Sequence, residues 1–180
     1  MRLLLASILI VSLSFSTSAA ATISISTGTG LDDSLIQSGN IGSTSVNGLL
    51  FETVLDNDFI FYDIAFDLSL EFAAFSLKGS HNNLKEEMEI YHIKPKVRWF
   101  SESGYHLDIG LGISSITEQH WEEINLSGTT LFALSTGIGW YFGEQNQITV
   151  DLVYNHYSNG YTRTPNPGID FLTLNVGYSF

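Results

Sequence analysis

The sequence predicts an all-β fold, an eight-stranded antiparallel transmembrane β-barrel, and three observations carry that expectation. Apolar and polar residues alternate with period two through eight successive stretches. The connections between these stretches alternate short and long. The last stretch sets Leu172, Leu174, Val176, Tyr178 and Phe180 on one face against Thr173, Asn175, Gly177 and Ser179 on the other. Residues i and i+2 of a strand point the same way, so each such stretch offers one unbroken apolar face. Outward rows of leucine and phenylalanine would leave a large exposed patch on a water-soluble lipocalin-type barrel, whereas hydrocarbon accommodates them.

The chain opens with features of an export signal. Arg2 supplies a positive start, Leu3 to Val11 is apolar apart from Ser7, and Ala19, Ala20 and Ala21 are the small residues a signal peptidase accepts. The apolar run is too short to span a bilayer, and no later segment offers the 18 or so apolar residues of a membrane helix. Residues 1–20 are therefore expected to be removed, leaving 21–180 as one barrel domain. Hydrophobic residues nevertheless make up 44% of the chain and aromatics 13%.

Eight strands are expected at 22–30, 43–56, 59–77, 88–100, 104–117, 128–142, 146–158 and 170–180. That is roughly 20 residues for each strand and its connection, the allotment of a small closed barrel. Asp56-Asn57-Asp58, Ser101-Glu102-Ser103-Gly104 and Gly143-Glu144-Gln145-Asn146 read as tight turns. The segments 31–42, 78–87, 118–127 and 159–169 read as longer polar loops. Outer-membrane barrels put short turns on the periplasmic side and long loops outside. With periplasmic termini, the seventh strand runs outward and the loop after Ser158 is extracellular.

The two faces of each strand differ in chemistry. The third opposes Ile64, Phe66, Leu68, Leu70 and Phe72 to Asp63, Asp67 and Glu71. The fourth opposes Tyr91, Ile93, Pro95, Val97 and Trp99 to His92, Lys94, Lys96 and Arg98, and the fifth opposes Leu107, Ile109, Leu111 and Ile113 to Asp108, Gly110 and Gly112. Eight strands enclose room only for side chains. The lumen is therefore expected to be a plug of ion pairs between the bases of the fourth strand and carboxylates on its neighbours, not a channel.

Composition excludes several functions. There are no cysteines, which removes disulfides, thiolate nucleophiles and cysteine metal sites together. The formal charge is −12; without Arg2, six basic side chains face nineteen acidic ones, giving −13. Nucleic acid is not an expected partner of such a chain. No metal-ligand spacing and no phosphate-binding glycine loop is present, so no cofactor is expected.

One strand face carries a chemical anomaly. Ile148, Val150, Leu152 and Tyr154 are followed in the same row by His156 and Ser158. Their alpha carbons lie about 6.5–7 Å apart, so their side chains can hydrogen-bond as a base and a nucleophile for acyl transfer. A third group should orient the imidazole. Asp170 shares the phase of the outward row, and symmetric pairing around the 159–169 loop sets it opposite Ser158, within about 4.5–8 Å. Glu122 and Glu123 substitute only if their loop crosses the rim, and Asp151 is out of phase. His92 and His106 read as lumenal, His81 and His120 as loop residues.

The tail from Asn155-His156-Tyr157-Ser158-Asn159-Gly160 through Pro165-Asn166-Pro167-Gly168-Ile169-Asp170 resembles the lipid A 3-O-deacylase (PagL) family. These are eight-stranded outer-membrane esterases marked by a histidine, a variable residue, then serine and asparagine on the penultimate strand. The resemblance implies His156, Ser158 and Asp170 as the catalytic group. It departs from the family at Asp170, where the pattern has glutamate. It also directs attention to Asn159, Gly160 and Asn166 as oxyanion or substrate-binding groups, and leaves Arg163, the basic residue of that loop, to meet a lipid phosphate. The terminal phenylalanine resembles the signal read by outer-membrane insertion machinery.

The implied substrate is lipid A of lipopolysaccharide in the outer membrane, cleaved at its 3-O-acyl ester. Two other readings are compatible with the residues: a non-enzymatic small barrel and a phospholipid acyl hydrolase. A homodimer is compatible with the sequence, which sets no oligomeric state.

Overall fold

The computed structural model describes residues 21–32, 39, 41–61, 64–81, 84–101, 104–121 and 124–180. The expected export signal, Glu122 and Glu123 lie outside these residues. The strands are β1 (Ala21–Gly30), β2 (Ser45–Phe61), β3 (Ile64–His81), β4 (Leu84–Phe100), β5 (Tyr105–Ile116), β6 (His120–Trp121), β7 (Ile124–Asn125), β8 (Thr130–Phe142), β9 (Ile148–Ser158) and β10 (Ile169–Ser179). Eight of them close into an antiparallel barrel in the order β1-β10-β9-β8-β5-β4-β3-β2, while β6 and β7 form a separate short hairpin.

The register sets the shape. Stepping from Ser158 across paired residues passes Phe132, Ile113, Ile93, Phe72, Phe51, Ile23 and Tyr178 and returns to β9 at Ile148. The stagger around the barrel is therefore 158 − 148, or 10 residues. A stagger of that size tilts the strands against the barrel axis. Each intermediate residue is a large apolar side chain turned outward, from 37% exposed at Ile93 to 57% at Tyr178. An apolar band thus winds once around the barrel and meets Ser158 at its upper end.

Inside, the expected ion pairs form in the half nearer the termini. Lys94 meets Glu71 at 2.9 Å, Lys96 meets Glu52 at 2.8 Å and Glu71 at 3.0 Å, and Arg98 meets Asp108 at 3.0 Å and Glu52 at 3.2 Å. His92 Nε2 bonds Glu71 at 2.9 Å, and His106 Nε2 bonds Asp151 at 2.7 Å. Buried charges survive only when paired and hydrogen-bonded, and these residues meet that condition mutually.

The other half of the lumen differs from the expectation. It is apolar, filled by Phe75, Met88, Ile90, Leu131, Tyr157 and Phe171 and capped by Trp121, Ile41 and Leu126 from the connections. The inward-facing bases of β4 occupy only its distal end, and Met88 and Ile90 precede them on the same inward face.

Two connections also differ. Asp56-Asn57-Asp58 does not reverse the chain: the register slips between Val54 and Asp56 and again between Asp56 and Phe59, after which Phe59, Ile60 and Phe61 continue the ladder. The turn formers are absorbed as a bulge because apolar residues beyond them find partners on β3. Likewise 78–87 is not a long loop; Lys78 to His81 pair with Leu84 to Glu87, prolonging the hairpin.

Candidate active site

The outward row of β9 runs Ile148, Val150, Leu152, Tyr154, His156 and Ser158. Its phase is fixed by the residues between. Asn155 donates from Nδ2 to Thr173 Oγ1 at 3.3 Å, and the Tyr157 hydroxyl meets His92 Nδ1 in the lumen at 2.8 Å. His156 and Ser158 therefore stand on the outer wall.

The structure brings His156, Ser158 and Asp170 together. His156 Nε2 lies 3.0 Å from Ser158 Oγ, and His156 Nδ1 lies 2.5 Å from Asp170 Oδ1. One neutral tautomer satisfies both bonds: the serine hydroxyl donates to Nε2 while Nδ1–H donates to the carboxylate. Asp170 is paired across the sheet with His156, not with Ser158 as symmetric pairing had suggested. The ladder starts at Ile169 opposite Tyr157, leaving Ser158 beyond the last pair. Direct opposition is what lets the short aspartate side chain reach the imidazole.

The three side chains are more sheltered than an open lipid-facing wall implies. His156 is 6% exposed, Ser158 7% and Asp170 0%. Gly168, at φ 60°, lies against them, and a Cβ there would fall 2.9 Å from His156 Cε1 and 3.3 Å from Ser158 Cβ. The chain after β1 packs alongside, with Leu31 N–H donating to the Asp170 carbonyl and Gly39 N–H to the Gly168 carbonyl, each at 3.0 Å. Phe132, opposite Ser158, and Leu134, opposite His156, flank the site on β8.

The residues of the β9–β10 connection divide into braces and donors. Asn159 spends its side-chain amide on the carbonyls of Pro165 at 2.8 Å and Leu126 at 3.4 Å, and its backbone N–H on Asn166 Oδ1 at 2.8 Å. These bonds tie Asn159 to the connection and to the neighbouring loop. Asn166 gives its oxygen to that brace, which leaves Nδ2 as its donor. Gly160, at φ 60°, packs against the Phe132 ring. Arg163 does not stand free above the site: it donates to the Ser127 carbonyl at 2.7 Å, in a position a Cβ on Gly128 would occupy.

One participant escaped the sequence reading. The Tyr154 hydroxyl donates to Asp170 Oδ2 at 2.5 Å. The signal was its place in the row, two residues before His156. Asp151 faces inward to His106, His120 is exposed on β6, and His81 ends β3. Among the described residues no three histidine or acidic side chains converge as metal ligands.

The family model for lipid A 3-O-deacylase (PagL) matches residues 61–179, which include every residue of the site. The chain belongs to this family. Lipid A deacylase PagL of Bordetella bronchiseptica (strain ATCC BAA-588 / NCTC 13252 / RB50) is 27% identical over 86 residues, 48% of this chain and 47% of that protein. The match thus spans about half the length of that relative. The crystal structure of the outer membrane enzyme PagL superposes with a TM-score of 0.68 at 16% identity, covering 87% of this chain and 98% of its own. Neisserial surface protein A (NspA) gives 0.51 at 14% identity, covering 91% and 98%, and the N-terminal β-barrel domain of Pseudomonas aeruginosa OprF gives 0.51 at 13%, covering 89% and 97%. These likenesses show the small-barrel fold, which this PagL-family chain shares with proteins of other names; function rests on the site.

Proposed function

We propose that the protein is an outer-membrane lipid A deacylase that hydrolyses the 3-O-linked acyl ester of lipopolysaccharide, with Ser158 as nucleophile, His156 as general base and Asp170 as the acid that orients it. The observation that carries this reading is the unbroken Ser158–His156–Asp170 hydrogen-bond chain on the outward row of β9. The position fits a lipid substrate. The apolar band ends at Ser158, and at the same end of the barrel the outer wall turns polar, with Lys78 and Glu87 paired at 3.2 Å. An acyl chain lying along the band would present its ester at headgroup height. Four of the nineteen acidic side chains, Glu52, Glu71, Asp108 and Asp151, face the lumen and do not oppose an anionic lipid there.

In the reaction His156 Nε2 takes the Ser158 proton as Oγ attacks the ester carbonyl, and Asp170 offsets the imidazolium charge. Asn166 Nδ2 and the backbone amides near Gly160 are the donors for the tetrahedral oxyanion. His156 returns the proton to the departing sugar oxygen. That frees lipid A lacking the chain; water, deprotonated by His156, then attacks the acyl-enzyme, the bond to Ser158 Oγ breaks, and His156 returns the proton to Oγ as the 3-hydroxy fatty acid leaves. Binding in two dimensions reduces the protein's task to orienting the carbonyl.

Mass spectrometry of lipid A from cells expressing the wild type, His156→Ala and Ser158→Ala tests the proposal. Loss of one hydroxyacyl chain with the wild type alone is expected. Unchanged lipid A in all three, from correctly inserted protein, would favour a non-enzymatic barrel, and altered phospholipid with intact lipid A a phospholipid hydrolase.

A further inference from the structure

We infer that Tyr154 is a positioning residue of the hydrolytic group, holding one oxygen of Asp170 so that the other meets His156. This rests on the esterase reading and adds a fourth member to it. Each oxygen of the Asp170 carboxylate meets a member of the outward row of β9: Oδ1 is 2.5 Å from His156 Nδ1 and Oδ2 is 2.5 Å from the Tyr154 hydroxyl. Tyr154 pairs with Leu172, one step along the outward row from the His156–Asp170 pair, so its ring reaches Asp170 diagonally.

Two features of the site make such a partner matter. Asp170 is fully buried, and a carboxylate sealed from water stays ionised only where hydrogen bonds replace its hydration. Its terminal torsion is also broad by nature, so a carboxyl group bonded at one oxygen can swing. Swinging would release the imidazole into the wrong tautomer, with the hydrogen on Nε2 where the serine proton must arrive. The hydroxyl bond fixes the carboxylate plane, and with it the imidazole.

Asp170 carries a short side chain and stands directly opposite the histidine. Tyr154 clamps that short arm from the other side.

A fluorophosphonate probe reads the nucleophile without requiring the lipid substrate. Ser158 Oγ bonds to phosphorus, the P–F bond breaks, fluoride leaves and the serine proton passes to His156. Second-order labelling rates are measured on the full-length protein for the wild type, Ser158→Ala, Tyr154→Phe, Asp170→Asn and Tyr154→Phe/Asp170→Asn. Native folding of each is checked by the difference in gel mobility between heated and unheated samples.

Tyr154→Phe keeps the ring and loses one charge-assisted bond, so its labelling rate should fall about tenfold. In the Asp170→Asn background the same change should cost less than about twofold, because a residue acting through Asp170 has nothing left to position. On lipid A, kcat should fall with KM unchanged. Wild-type rates in natively folded Tyr154→Phe, or an undiminished cost in the Asp170→Asn background, would overturn the inference alone. Should Tyr154→Phe fail to fold, Tyr154→Leu removes the same hydroxyl and is held to the same two criteria. Wild-type labelling no faster than that of Ser158→Ala would overturn the serine esterase reading, and the role of Tyr154 with it.

Discussion

Alanine at Gly168 should disable the site while leaving the barrel standing. Gly168 has φ 60°, a left-handed conformation that costs a residue with a Cβ about 1–2 kcal/mol. The new methyl group would also lie 2.9 Å from His156 Cε1, 3.2 Å from the Tyr157 carbonyl oxygen and 3.3 Å from Ser158 Cβ. Cε1 sits between the two ring nitrogens, so any push on it disturbs the bonds to Ser158 and Asp170 together. The backbone cannot retreat freely, because Gly168 O holds Gly39 N–H at 3.0 Å and Ile169 begins the β10 ladder. Relief of several tenths of an ångström must come mainly from the imidazole. Since a misplacement of about 1 Å can cost about 100-fold, a fall in kcat of roughly ten- to 100-fold is expected. The assay is the rate of hydroxy fatty acid release from purified lipid A, with heat-dependent gel mobility as the folding check. Gly104→Ala is the control for strain without collision: φ is 86°, nothing lies within 4 Å of a Cβ, and the residue is at the far end of the barrel. Wild-type turnover by natively folded Gly168→Ala would refute the packing argument.

Three further outcomes follow from the same geometry. Asp170→Glu should lower activity: both carboxylate oxygens already lie 2.5 Å from their partners and the side chain is fully buried, so an added methylene overpacks by about 1–3 kcal/mol. Increased turnover would refute this. Glu71→Ala leaves Lys94, Lys96 and His92 crowded without their shared carboxylate, and should destabilise the barrel by about 3–5 kcal/mol in urea unfolding within lipid vesicles. An unchanged midpoint would mean that the lumenal network is not what holds this half together. Asn159→Ala should cut kcat by loosening the connection, detectable as faster proteolysis between 159 and 168, whereas Asn166→Asp keeps the acceptor for Asn159 N–H and should lose kcat without loosening. Equal protease sensitivity in both would remove the distinction drawn between brace and donor.

The strands were legible because an apolar outer wall and ion pairs inside demand opposite chemistry of successive residues. His92, Lys94, Lys96 and Arg98 against Tyr91, Ile93, Val97 and Trp99 is a pattern with no other sensible orientation. Period-two reasoning also gave the outward phase of His156, Ser158 and Asp170. It could not give register, since moving one strand by two residues leaves every phase intact; hence Asp170 was expected opposite Ser158 and lies opposite His156. Turn chemistry failed for a related reason. Asp56-Asn57-Asp58 has turn-forming residues, but the ladder bonds of Phe59 to Phe61 with β3 decide the matter. The roles of Asn159 and Arg163 depend on carbonyls of Leu126 and Ser127, which belong to another connection and leave no mark on the local sequence.

His156, Ser158 and Asp170 stand on the outside of a wall one strand thick, and the lumen is what makes that wall stiff. Tyr157, between the histidine and the serine, sends its hydroxyl inward to His92 Nδ1, and His92 Nε2 bonds Glu71, which in turn holds Lys94 and Lys96. Its ring stacks on Phe171 of β10, centroids 5.4 Å apart, immediately beside Asp170. The backbone that carries His156 and Ser158 is thus anchored to the charged half of the lumen through one side chain and to the acid-bearing strand through the same ring. In a packed interior such contacts permit little drift. On the proposed esterase reading, the geometry of His156, Ser158 and Asp170 is set from within, by lumenal residues that never meet the substrate, and the packed interior becomes the support for chemistry on the outer wall.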